Sequence, residues 1–154
     1  MPRGFELLAR LALGFSGPRQ PILGTEFAGD VEAVGARVRR FKPGDAVFAL
    51  GGAGMGGYAE YRCMPEGGCL AIRPGNLAVD EAAALSFGGT TALDFLRRAQ
   101  LRQGEKILIN GASGGVGTAA VQLARHFGAD VTAVCSSANA DLVRSLGARR
   151  VIDY

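Results

Sequence analysis

The sequence predicts an α/β chain: a β-rich first region, residues 1–75, followed by part of a doubly wound parallel sheet, residues 76–154. Three observations carry this. Short aliphatic runs separated by Gly/Pro turns at close intervals fill the chain up to Pro74-Gly75, as in a small barrel or sandwich-like module. Beyond Asn76 the spacing of apolar residues turns helical. From Lys106 onward strand, helix, strand, helix and strand follow one another, the repeating unit of a doubly wound sheet.

The elements follow in order. Phe5, Leu8, Leu11 or Ala12, and Phe15 share one side of a short amphipathic helix, closed by the breaker cluster Gly17-Pro18-Arg19-Gln20-Pro21. Glu6 and Arg10 interrupt this stretch, which argues against a secretory signal. Val31 and Val34 with polar neighbours predict a strand ended by Gly35. Lys42-Pro43-Gly44-Asp45 has the type II turn signature and leads into a strand over Ala46–Leu50. Gly51–Gly57 is a glycine-rich loop, Tyr58–Cys63 alternates as a strand, and Leu70–Arg73 is a short one. Asp80 is the expected N-cap of a helix over Glu81–Leu85; Ser86–Thr90 is an interruption; Thr91–Gln100 resumes the helix. Lys106–Ile109 reads as a strand buried on both faces. A helix over Thr118–Phe127 places Val121, Ala124 and Phe127 on one side and is capped by Gly128. A strand over Asp130–Cys135, a helix over Asn139–Leu146 capped by Gly147, and a strand from Arg150 to Asp153 complete the pattern.

The stretch between the Lys106 strand and the next helix carries the chemistry. The dinucleotide fingerprint G-x-G-x-x-G follows a strand and opens a helix, so that backbone N–H groups at the helix start receive a pyrophosphate. Here its positions are Ala112, Gly114 and Gly117, with alanine in place of the first glycine. Gly114 lets the backbone approach phosphate, and Gly117 lets the helix pack close to the strand. The candidate cofactor-binding turn is therefore Asn110, Gly111, Ala112, Ser113, Gly114, Gly115, Val116 and Gly117. The competing reading is a structural turn that binds nothing. An Asp or Glu after the second strand would bind the ribose 2′-hydroxyl of NAD. This chain has Val134-Cys135-Ser136-Ser137-Ala138-Asn139 there, without an acid. Asp141 follows inside the next helix, on a solvated face. Ser136 and Ser137 can donate hydrogen bonds to a 2′-phosphate, which favours NADPH over NADH.

Composition narrows the classes. Charged residues are 20% and apolar residues 48%, an ordinary globular balance. The net charge of +3 is too small and dispersed to argue for nucleic acid, and the basic run Arg37, Arg39, Arg40 and Lys42 reads as a solvated loop. No apolar run reaches membrane-spanning length. Three cysteines without a C-x-x-C pair fit a reducing, cytoplasmic setting and argue against a disulfide framework and a structural zinc site.

The segments PILGTEFAGDVEAVG, RFKPGDAVFAL, GGYAEYRCMPE, EAAALSFGGTTAL and NGASGGVGTAAVQLARHFGADVTAV, in this order, resemble the medium-chain dehydrogenases/reductases, closest to their zinc-independent, quinone-oxidoreductase-like branch. The resemblance runs from about Pro18 to Tyr154. It implies a partial GroES-like β domain followed by a partial Rossmann domain, with the boundary at residues 75 and 76. It implies hydride transfer from a nicotinamide cofactor to a quinone, an enone or another conjugated carbonyl, with an enoyl-thioester reductase or a non-catalytic nucleotide-binding remnant as alternatives. Zinc relatives carry histidine and cysteine where this chain has Thr25 and Phe87, so no metal is expected. Thr91 resembles the threonine that approaches the nicotinamide half, and is equally readable as a helix-start residue; Tyr154 is implied to lie beside the adenosine phosphate. The basic residue many relatives use is replaced by Ala138 and Asn139. His126 reads as a helix C-terminal surface residue, and no catalytic residue can be named. Relatives are longer, which implies a fragment or truncated product here, and they commonly form homodimers.

Overall fold

In the computed structural model, which describes Gly14 and residues 20–154, the chain divides into two units, Met1–Ala84 and Leu85–Tyr154. The expected helix at Phe5–Phe15 and most of the breaker cluster after it lie outside the described residues.

Unit one holds a three-stranded antiparallel sheet in the order β1 (Glu26–Asp30), β2 (Ala46–Leu50), β3 (Cys69–Ile72). Glu26 stands opposite Leu50 and Asp30 opposite Ala46. The turn before β2 is as expected. Gly44 has φ +85, and Asp45 N–H bonds Lys42 C=O at 3.1 Å. Two expected strands are corrected. The strand assigned around Val31–Val34 lies earlier, at Glu26–Asp30. Its partner β2 begins at Ala46, so pairing stops with the Val31–Asp45 and Gly44–Val31 bonds. Gly29 within β1 weakened the sequence signal. Tyr58–Cys63 is no strand. Tyr58 and Tyr61 are 78% and 74% exposed, so the alternation buries nothing. The chain there bonds Ile22–Gly24 through the N–H groups of Gly56, Gly57 and Tyr58. Arg62 is the residue that turns inward. Its guanidinium lies 5.0 Å from the centre of the Phe27 ring, and Nη2 reaches Gly51 C=O at 3.4 Å.

Helix α1 spans Val79–Arg98 without a break. Ala78 N–H donates to Glu81 Oε2 at 2.9 Å, so Glu81 caps the start and Asp80 sits in the first turn, not at the N-cap. The expected interruption at Ser86–Thr90 is absent. Thr90 Oγ1 bonds back to Ser86 C=O at 2.5 Å, and Gly88 is buried by a tertiary contact described below.

Unit two is a parallel sheet in the order β4 (Lys106–Asn110), β5 (Asp130–Val134), β6 (Arg150–Ile152). Helix α2 (Gly115–His126) connects β4 to β5, and α3 (Ala140–Ser145) connects β5 to β6. Both helices end as the glycines predict. Gly128 (φ +79) and Ala129 return bonds to Arg125 and Ala124, and Gly147 (φ +117) and Ala148 return bonds to Arg144 and Val143. This is the six-to-one, five-to-two pattern that satisfies the last carbonyls. One contiguous core gathers Leu96, Ile109, Val121, Ala124, Val131, Ala133 and Val143, with Phe127 packed against it. β4 is not buried on both faces. Ile109 is buried while Leu108, on the opposite face, is 60% exposed, because within this unit the core covers one side of the strand.

Candidate nucleotide-binding site

The turn after β4 is built by glycines at the points where a side chain cannot fit. Gly111 adopts φ +67, which reverses the chain past Asn110. Ala112 is fully buried, and its N–H bonds Val134 C=O at 3.0 Å, tying the turn to the end of β5. Gly114 is the N-cap residue of α2, in extended conformation with no side-chain cap, and its N–H bonds Gly111 C=O at 3.0 Å. The helix therefore begins at Gly115, three residues before the expected Thr118; Gly115, Val116 and Gly117 are its first turn. Thr118 N–H is the first to find an intrahelical partner, Gly114 C=O at 2.8 Å. The N–H groups before it are those an α-helix leaves for a ligand or water. No acidic residue stands in this turn, so nothing there opposes an anion drawn to the positive helix end.

Packing explains the third glycine. A Cβ on Gly117 would stand 2.2 Å from Gly111 O and 2.7 Å from Ala112 Cα. The helix start is thus pressed onto the turn, and only glycine permits it. Ala112, at the first fingerprint position, has ordinary φ, because Gly111 supplies the left-handed residue instead. One contributor escaped sequence reasoning. Gly88 on α1 packs on the helix start, where its Cβ would meet Gly115 O at 2.6 Å. The signal was the glycine pair Gly88-Gly89 inside a helical pattern, which marks close approach as readily as a break.

The remaining candidates fall into two groups. Ser136 follows β5, and Asn139 Nδ2 donates to both Ser136 Oγ at 3.1 Å and Ser113 Oγ at 3.4 Å. Asn139 thereby joins the fingerprint turn to the loop after β5, a link the sequence did not reveal. Ser137 N–H donates to Asp153 Oδ1 at 2.8 Å, beside Tyr154, which is 81% exposed. Thr91 stands apart from these bonds, half-buried on α1 and three residues past Gly88. The residues fit a dinucleotide: a close-packed helix start with free donors, and hydroxyls at the end of the second strand.

Residues 7–74 match the alcohol dehydrogenase GroES-like domain family, and residues 115–154 match the zinc-binding dehydrogenase family. A trans-enoyl reductase of Aspergillus terreus is 41% identical over 154 residues, covering 96% of this chain and 42% of the relative. The quinone oxidoreductase structure from Coxiella burnetii superposes with a TM-score of 0.85 at 33% identity, over 95% of this chain and 46% of that one. The chain belongs to the medium-chain dehydrogenase/reductase family. A further neighbour, a mycobacterial protein complexed with NADPH, has a TM-score of 0.76 at 31% identity, over 85% of this chain and 41% of that one. The chain spans less than half the length of each of these relatives.

Thr25 and Phe87, the positions at which the family resemblance sets histidine and cysteine in zinc relatives, lie just before β1 and exposed on α1. A hydroxyl and a phenyl ring supply neither the nitrogen nor the sulfur that zinc prefers. Among the described residues, no three of His, Cys, Asp or Glu gather to hold a metal. His126 is the last residue of α2, eleven residues and about 16 Å of helix from Gly115. It therefore stands at the opposite end of α2 from the turn. The cysteines are free, Cys135 buried and Cys63 and Cys69 exposed. Among the described residues no helix is long and apolar enough to cross a membrane.

Proposed function

We propose that this chain carries the dinucleotide-binding region of a zinc-independent reductase that passes hydride from a nicotinamide cofactor to a quinone, an enone or a related conjugated carbonyl. The observation that carries it is the start of α2: free amides at Gly115, Val116 and Gly117, pressed onto Gly111 and Ala112 with no acid in the first turn. In this reading those amides and Ser113 hold the pyrophosphate. Ser136 and Ser137 face the ribose 2′ position, Tyr154 the adenosine phosphate, and Thr91 the nicotinamide half. NADPH is the favoured donor, with NADH also accepted. The reduced nicotinamide supplies the hydride; the chain's own residues bind, orient and exclude water. Residues 1–75 form the GroES-like part and residues 76–154 the Rossmann part. The protein works in the cytoplasm on a small molecule, and the longer protein is a homodimer.

The trans-enoyl reductase relative favours a second substrate class, an enoyl thioester. Titrating NADPH into the purified chain and following its fluorescence tests the first half of the reading, and saturable binding is expected. Supplying a quinone and an enoyl thioester in turn, and analysing products, separates the two substrate classes. Binding without turnover of either would leave a nucleotide-binding remnant. Absence of binding by both reduced nucleotides would overturn the proposal.

A further inference from the structure

The loop after β5 lacks the acid that would meet a ribose 2′-hydroxyl, yet the structure brings one to it from elsewhere. Asp153, directly after β6 and sixteen residues from Ser137, accepts the Ser137 N–H bond at 2.8 Å. The loop itself, Cys135 to Asn139, contains no cation. Among the described residues Asp153 has no ion-pair partner; the ion pairs of this unit are Asp94–Arg98, Asp141–Arg144 and Asp130–Arg149. The residue after the second strand is where a dinucleotide's 2′ substituent comes.

Resting on the dinucleotide reading above, we propose that Asp153 is a specificity-determining residue for the cofactor's 2′ position. Its carboxylate takes the Ser137 amide that a 2′-phosphate would seek and sets a negative charge beside it. A 2′-hydroxyl is neutral and can donate to the free oxygen of that carboxylate. Asp153 therefore works against Ser136 and Ser137, whose hydroxyls suit a phosphate, and leaves the chain able to take both NADPH and NADH.

The test measures dissociation constants of NADPH and NADH for the wild-type chain and for Asp153→Asn. Asparagine keeps an oxygen on the Ser137 amide and removes only the charge. Two like charges a few ångströms apart at an exposed site predict a shift of the NADPH/NADH ratio toward NADPH of about tenfold. A second measurement needs no variant. Raising salt screens the repulsion, so the wild-type ratio should also move toward NADPH; a site built on a cation would move the other way. A ratio that stays put in Asp153→Asn while both nucleotides bind overturns this inference and leaves the dinucleotide reading standing, as does a wild-type ratio moving toward NADH with salt. Failure of both nucleotides to bind the wild-type chain overturns the reading and the inference together.

Discussion

The two units hold themselves together differently. Unit two closes on one contiguous core in which Val121, Val131 and Val143 are fully buried, each from a different element of β4–α2–β5–α3–β6. Unit one pairs three antiparallel strands, and its buried apolar residues among those described reduce to Phe41, Val47, Ala49 and Ala82. A strand–helix–strand crossover supplies the cover for its own sheet; an antiparallel sheet of three strands does not. What ties unit one is more polar by comparison. Glu66 accepts the backbone N–H groups of Arg40 and Arg39 at 3.0 and 2.9 Å, Asp45 pairs with Lys42, and Arg62 lies on Phe27.

The widest separation between the units is expected from Gly117→Val. Its Cβ would overlap Gly111 O and Ala112 Cα, backbone atoms that cannot step aside. A loss of about 3 kcal/mol or more from unit two is expected, together with loss of NADPH binding. Urea unfolding and NADPH fluorescence would show it, and an unchanged variant would break the account of the helix start. Core truncation sharpens the contrast next. Val121→Ala, at a site with no room to collapse, should cost about 2–3 kcal/mol, and Val47→Ala in the thinner core of unit one about 1 kcal/mol. Hydrogen exchange at the β5 and β2 amides would report each locally, and equal costs would mean the two cores are equivalent. The smallest effect is electrostatic. The Arg40 and Arg39 amides hold the Glu66 carboxyl below the ordinary glutamate range. A carboxyl depressed in the folded state stabilises above its unfolded value and loses that contribution as pH falls through its folded one. The protection factors of the β2 amides, taken relative to the intrinsic exchange rate at each pH, should therefore fall on acidification across that range, and Glu66→Gln should flatten the dependence. The β5 amides should be indifferent to the substitution.

Legibility followed the same division. In unit two, β4, β5 and both helix stops were readable to within a residue or so, because a positive-φ glycine and the bonds it returns lie within six residues of each other. In unit one the Pro43-Gly44 turn and β2 were readable for the same reason. β1 was displaced and Tyr58–Cys63 misassigned, since alternation describes a strand only when a partner and a buried face exist. The fingerprint turn was visible as a motif. Its helix start three residues early was not, because Gly115 and Gly117 are poor helix formers held in place by contact.

Local chemistry written in the chain was therefore enough to announce the parallel crossover, its glycine caps and the glycine-rich turn between β4 and α2. Folding in three dimensions settled the rest. It kept α1 continuous by seating Gly88 on Gly115, turned Arg62 inward, joined Ser113 to Ser136 through Asn139, and carried Asp153 to Ser137. Most of these contacts join segments far apart along the chain, and each depends on which surfaces are buried together, a property that no short window of residues contains.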